Sequence, residues 1–89
     1  MKKWYISQNL VLREESDDWG VLFDPDTGNS VALNPVAISI FKVMRQTQNM
    51  NSIISAIHEE YEEIPETLSQ DIVDLIDTLA QDGFIGFEK

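Results

Sequence analysis

Residues 29–44 read NSVALNPVAISIFKVM, and within this stretch the apolar spacing changes from every second residue to every third or fourth. Val31 and Leu33 alternate with Ser30, Ala32 and Asn34, which is the period of a strand with one buried face. Ala37, Ile40, Phe41 and Met44 then fall at i, i+3, i+4 and i+7, one face of a helix. Asn34-Pro35 marks the change. An Asn side chain accepts from the free N–H groups at a helix start, and Pro in the next position has no N–H to leave unpaired and a φ suited to the first turn. The stretch predicts a strand that runs straight into a capped helix.

Towards the N-terminus, residues 10–15 and 19–24 read as two short strands joined through Ser16-Asp17-Asp18. In the second, Trp19, Val21 and Phe23 share one face, and Gly20, Leu22 and Asp24 share the other. Residues 24–28, DPDTG, turn the chain: Pro25 suits the first corner of a type I turn, and Gly28 can take the left-handed conformation. With residues 29–33 this makes a three-stranded antiparallel meander, which needs helices over one face to be stable.

Towards the C-terminus the first helix covers residues 35–45, and residues 46–50 read as a polar connection. Asn51 is the expected cap of a second helix reaching about Glu62, with Ile53, Ile57 and Tyr61 at four-residue spacing and Ile54 beside them. Ile64-Pro65 ends it, because the residue before a proline disfavours helix. Thr67-Leu68-Ser69-Gln70 fits a capping box, in which Thr67 and Gln70 satisfy each other's N–H groups. The third helix then runs to Asp82 and stops at Gly83. Phe84-Ile85-Gly86-Phe87 is an apolar tail suited to a short closing strand. The expected class is α+β and winged-helix-like: three antiparallel strands, three helices and a short C-terminal strand.

On the third helix, Leu68, Ile72, Leu75 and Leu79 form the stripe expected to face the core. Val73, Ile76 and Ala80 widen it sideways, with Asp74, Asp77 and Gln81 beyond. Either the helix is buried between the sheet and the other helices, or this flank lines a groove beside the sheet. Spacing alone leaves both open.

Eighty-nine residues suit one domain with a modest core, burying roughly 60–70% of the unfolded surface, with little room for a deep catalytic pocket. The absence of cysteine excludes disulfides, thiolate chemistry and cysteine-based metal sites. The start, MKKWYI followed by SQN, is too short in apolar length for a signal peptide, and no apolar run is long enough to span a bilayer. A soluble, cytoplasmic protein is expected. Six basic residues face sixteen acidic ones, for a formal charge of −10. Most faces would repel phosphate, and no Lys/Arg cluster offsets this. The acidity serves solubility or attracts a basic partner.

Residues that resemble chemistry do not assemble into it. His58 has no Ser or Cys partner in a triad-like pattern. Glu59, Glu60, Glu62 and Glu63 suit a solvated helix end, and Asp71, Asp74 and Asp77 a polar stripe whose first member complements the helix dipole. Asp24-x-Asp26 opens like a calcium loop, but Gly28 and Pro35 stand where oxygen ligands are required. No catalytic residue, metal site or cofactor is expected.

Several of these residues together resemble the PqqD family, the stand-alone form of the precursor-peptide recognition element of ribosomal peptide modification (a RiPP recognition element). They are Leu22-Phe23-Asp24, Gly28, Leu33-Asn34 followed by Ala37 and Ile40-Phe41, residues 53–61, Asp71-Ile72, Leu75, Leu79 and Gly83-Phe84-Ile85. The chain is similar also to the HPr-kinase-related subgroup, encoded beside kinase-like proteins. The resemblance implies a non-enzymatic peptide chaperone. It would bind a precursor leader as a strand added to the third strand and present it to a modifying enzyme, often of the radical-SAM type. Carried onto this chain, the peptide-binding residues would be Asn29, Ser30, Val31, Ala32 and Leu33 on the edge, with Val73, Ile76, Asp77 and Ala80 as the groove wall. A docking subunit that touches no peptide shares these features. A winged-helix DNA binder would place residues 67–73 in the major groove, but that stretch has no Lys or Arg and includes Asp71. An exposed sheet edge can pair with itself, so the expected state is a monomer or weak homodimer.

Overall fold

The computed structural model describes residues 3–87; Lys2, one of the two lysines in the N-terminal stretch, lies outside them. The elements follow in the order β1 (Trp4–Ile6), β2 (Val11–Glu14), β3 (Gly20–Phe23), β4 (Ser30–Leu33), α1 (Pro35–Met44), α2 (Met50–Glu60), α3 (Leu68–Gln81) and β5 (Ile85–Phe87). β2, β3 and β4 form an antiparallel meander in that spatial order, with Leu12 opposite Leu22 and Leu22 opposite Val31. At the β3–β4 turn Gly28 has φ +80°, its N–H donates to the Asp24 carbonyl at 2.8 Å, and Asp26 N–H donates to Asp24 Oδ1 at 2.9 Å. The meander, the three helices and the closing strand are all present.

The additional strand is β1, which pairs antiparallel with β5 through Trp4–Phe87, Tyr5–Gly86 and Ile6–Ile85. Trp4 anchors it in the core. Its indole Nε1–H donates to the Met44 carbonyl at 3.2 Å, satisfying one of the carbonyls left free at the end of α1.

The core gathers Leu22 and Leu33 from the sheet, Phe41 from α1, Ile53 and Ile57 from α2, Ile72 and Leu79 from α3, and Phe84. On β3 the inward face is the one with smaller side chains: Leu22 and Gly20 are buried, while Phe23 and the preceding Trp19 are exposed. Close packing explains this choice. A Cβ on Gly20 would lie 2.7 Å from the Arg13 carbonyl oxygen and 2.9 Å from Ile38 Cδ1, so only glycine lets β2 and α1 approach so closely.

Helix starts follow competition between neighbouring polar groups. Asn34 caps α1 as expected, its side chain accepting from Ala37 N–H at 2.8 Å. The cap of α2 is Asn49, not Asn51: the extended backbone of Asn49 lets its Oδ1 accept from Asn51 and Ser52 N–H at 2.8 and 3.3 Å. The capping box at Thr67 does not form. Thr67, with ψ of 9°, is not extended, and its hydroxyl donates instead to Asp71 Oδ2 at 3.1 Å. Gln70 donates to Asp74 Oδ1 at 2.9 Å.

The buried stripe of α3 is Leu68, Ile72, Ile76 and Leu79, whereas Leu75 is half-buried. The two stripes differ only in whether a step of four or of three follows Ile72, and both fit one helix face. Packing selects Ile76 and turns Leu75 towards the sheet edge.

Candidate functional site

β4 ends the meander. β3 occupies one of its edges, and no strand among the described residues pairs with the other. Asp24 N–H donates to the Asn29 carbonyl at 2.9 Å, which marks these two as a hydrogen-bonded pair. Alternation along an antiparallel ladder then aims the main-chain groups of Val31 and Leu33 at β3, and those of Ser30 and Ala32 at the free edge. Such an edge is a template for a further extended chain.

α3 lies beside that edge. Asn29 Nδ2 donates to the Asp82 carbonyl at 3.0 Å, joining the start of β4 to the end of α3. At the opposite end, Asn34 shares the groove with Pro65 and Asp71. Between these ends runs an open groove of about 450 Å³, bordered by Val31, Ala32 and Leu33 from β4, Val36, Ala37 and Ile40 from α1, and Asp71, Asp74, Leu75 and Thr78 from α3. Val31, Val36, Ala37 and Leu75 are only half-buried, so the floor offers apolar surface that an added side chain would cover. The helix side is acidic. The ion pairs among the described residues are Arg13–Glu15 at 3.3 Å and Lys42–Glu14 at 3.1 Å, and neither involves Asp71 or Asp74.

The expected residues divide cleanly. Val31, Ala32 and Leu33 border the groove; Ser30 lies on the same strand, and Asn29 joins strand to helix at the groove's end. Val73, Ile76, Asp77 and Ala80 are not on the groove wall. Ile76 is core, 2% exposed, and at about 100° per residue Val73, Asp77 and Ala80 fall on the opposite flank of α3. With Ile76 rather than Leu75 in the core, the helix is rotated so that Asp71, Asp74, Leu75 and Thr78 face β4. Their i, i+3, i+4, i+7 spacing was the available signal, a stripe of two carboxylates, one leucine and one threonine.

A second depression, of about 510 Å³, lies beside Tyr5, Met44, Arg45 and Gln48. It is the larger, but its strand is already engaged: Gln48 Oε1 accepts from Trp4 N–H at 2.9 Å. His58 is exposed on α2. Among the described residues no group of three or more His, Cys, Asp or Glu is placed to hold a metal ion, and no helix is long and apolar enough to cross a membrane.

Comparison with known proteins bears on the fold and the family. The solved structure of TbiB1 in complex with the TbiA(beta) leader peptide is similar over 100% of both chains, with a TM-score of 0.71 and 28% sequence identity. No curated protein matches the chain significantly. The family model for coenzyme PQQ synthesis protein D (PqqD) matches residues 20–85, from the start of β3 to the start of β5. The chain therefore belongs to the PqqD family.

Proposed function

We propose that this protein is a non-catalytic adaptor that binds the leader of a ribosomally made precursor peptide as a strand added to β4, and presents it to a modifying enzyme. The observation that carries the reading is the free edge of β4 beside a half-exposed apolar groove. Support comes from the likeness, over the whole chain, to a protein solved with a leader peptide. Main-chain bonds from Ser30 and Ala32 would hold any extended segment, while side chains on alternate positions of that segment would enter the groove and supply selection. A leader that is disordered when free orders only on binding, which suits transient hand-over better than permanent assembly. A radical-SAM enzyme in the cytoplasm is the recipient class that the family resemblance suggests.

The test is an amide-shift titration of the isotope-labelled protein with leader peptides encoded near its gene. The reading expects shifts concentrated at residues 30–34 and 71–78. Absence of shifts with every such peptide, together with co-purification of the neighbouring enzyme, would replace it with a docking subunit.

A further inference from the structure

We propose that the groove selects a cationic segment, in which one groove-facing side chain is large and apolar and the next groove-facing position, two residues away, is Lys or Arg paired with Asp71 and Asp74. This rests on the reading that a peptide adds to β4, and it specifies the chemistry of that peptide.

Three features of the groove converge on it. Its floor is apolar beside Val31, Val36 and Leu75, while its helix wall carries two carboxylates. Among the described residues those carboxylates accept only from neutral donors, Thr67 Oγ1 to Asp71 at 3.1 Å and Gln70 Nε2 to Asp74 at 2.9 Å, and no Lys or Arg lines the groove. No cationic side chain among the described residues pairs with either carboxylate, in a chain with sixteen acidic and six basic residues. An acidic side chain entering there would meet like charge, and a cation would meet opposite charge.

The spacing fits as well. Leu75 and Asp71 are one helical turn apart, about 6 Å along the axis. Side chains on one face of a strand recur at roughly 6.7 Å. An apolar side chain seated by Leu75 thus sets its neighbour on the same face near Asp71. Asp71 and Asp74 are about 4.5 Å apart along the helix, within reach of one ammonium or guanidinium group. The cationic position falls at the Asn34 and Pro65 end of the groove, and the apolar position nearer its middle.

The probe is a displayed library of random linear peptides selected on the immobilised protein. The expected winners carry Lys or Arg two residues from a large apolar residue, and shift the amides of Ser30 and Ala32. A winning peptide and its Lys→Met analogue are then titrated against the wild type, Asp71→Asn and Asp74→Asn. Each variant should weaken the Lys peptide by about threefold to fivefold and leave the Met analogue within about twofold, a loss that shrinks in high salt. Equal loss for both peptides would trace the effect to a disturbed helix and overturn the pairing. Winners without a cationic preference that still shift residues 30–34 would overturn the proposal and leave strand addition standing. Winners that bind elsewhere, or none at all, would remove strand addition and this inference with it.

Discussion

The side-chain amide of Asn29 donates to the main-chain carbonyl of Asp82 at 3.0 Å, across 53 positions of sequence. The bond satisfies a carbonyl that the end of α3 would otherwise leave to water. It also fixes the separation of β4 and α3 at one end of the groove. The spacing between strand and helix is thus set by a contact outside the groove lining.

Replacing that amide tests the arrangement. Asn29→Ala should lower stability by about 0.5–1 kcal/mol, the low end for an exposed hydrogen bond, and speed amide exchange over the last turn of α3. Hydrogen exchange read residue by residue checks this; an unchanged rate there would mean the bond does not hold the helix end.

The two flanks of α3 should behave oppositely. Leu75→Arg should abolish peptide binding with the fold retained, because Leu75 is half-buried at the groove. Ala80→Arg, on the other flank, should bind normally. Ile76→Ala should cost about 2–5 kcal/mol by opening a cavity in the core. Denaturant melts and binding isotherms on the three variants separate these outcomes, and normal binding by Leu75→Arg would place the peptide elsewhere.

Gly20→Ala should destabilise by roughly 1–3 kcal/mol through overpacking. Ile38 Cδ1, at 2.9 Å from the added Cβ, can rotate away, whereas the Arg13 carbonyl at 2.7 Å is fixed by the sheet. The midpoint of thermal unfolding reports it, and an unchanged midpoint would show that β2 yields.

Trp4→Phe should cost about 1–3 kcal/mol, because the Met44 carbonyl loses a buried donor. Tryptophan fluorescence gives an independent check on β1. Trp4 is 3% exposed and Trp19 46%, so a collisional quencher should reach Trp19 alone in the wild type and all emission in Trp4→Phe.

Much of this architecture was legible because it is local. The Asn34-Pro35 junction, the glycines at 28 and 83, and the strand period of Val31 and Leu33 each act within a few residues. Asn49 and Asn51 show where local reading becomes ambiguous: two similar caps lie two positions apart, and backbone conformation decides between them. β1 left no readable signal, since three residues are too few to show a period and its stability comes from β5 and the end of α1. The β4 half of the candidate site was legible as an edge, whereas the α3 half depended on one rotation.

Local patterning dictated the order and kind of the main elements: a strand meander, a capped helix directly after it, two further helices and a closing strand. Composition dictated the acidic character that the groove shares. That β1 joins β5, and which flank of α3 faces β4, was settled by packing between distant elements. Leu75 and Ile76 are both apolar, and either completes a helical stripe at a cost too similar for periodicity to resolve. The core accommodates Ile76 against its neighbours, and that choice rotates Asp71, Asp74, Leu75 and Thr78 onto the groove.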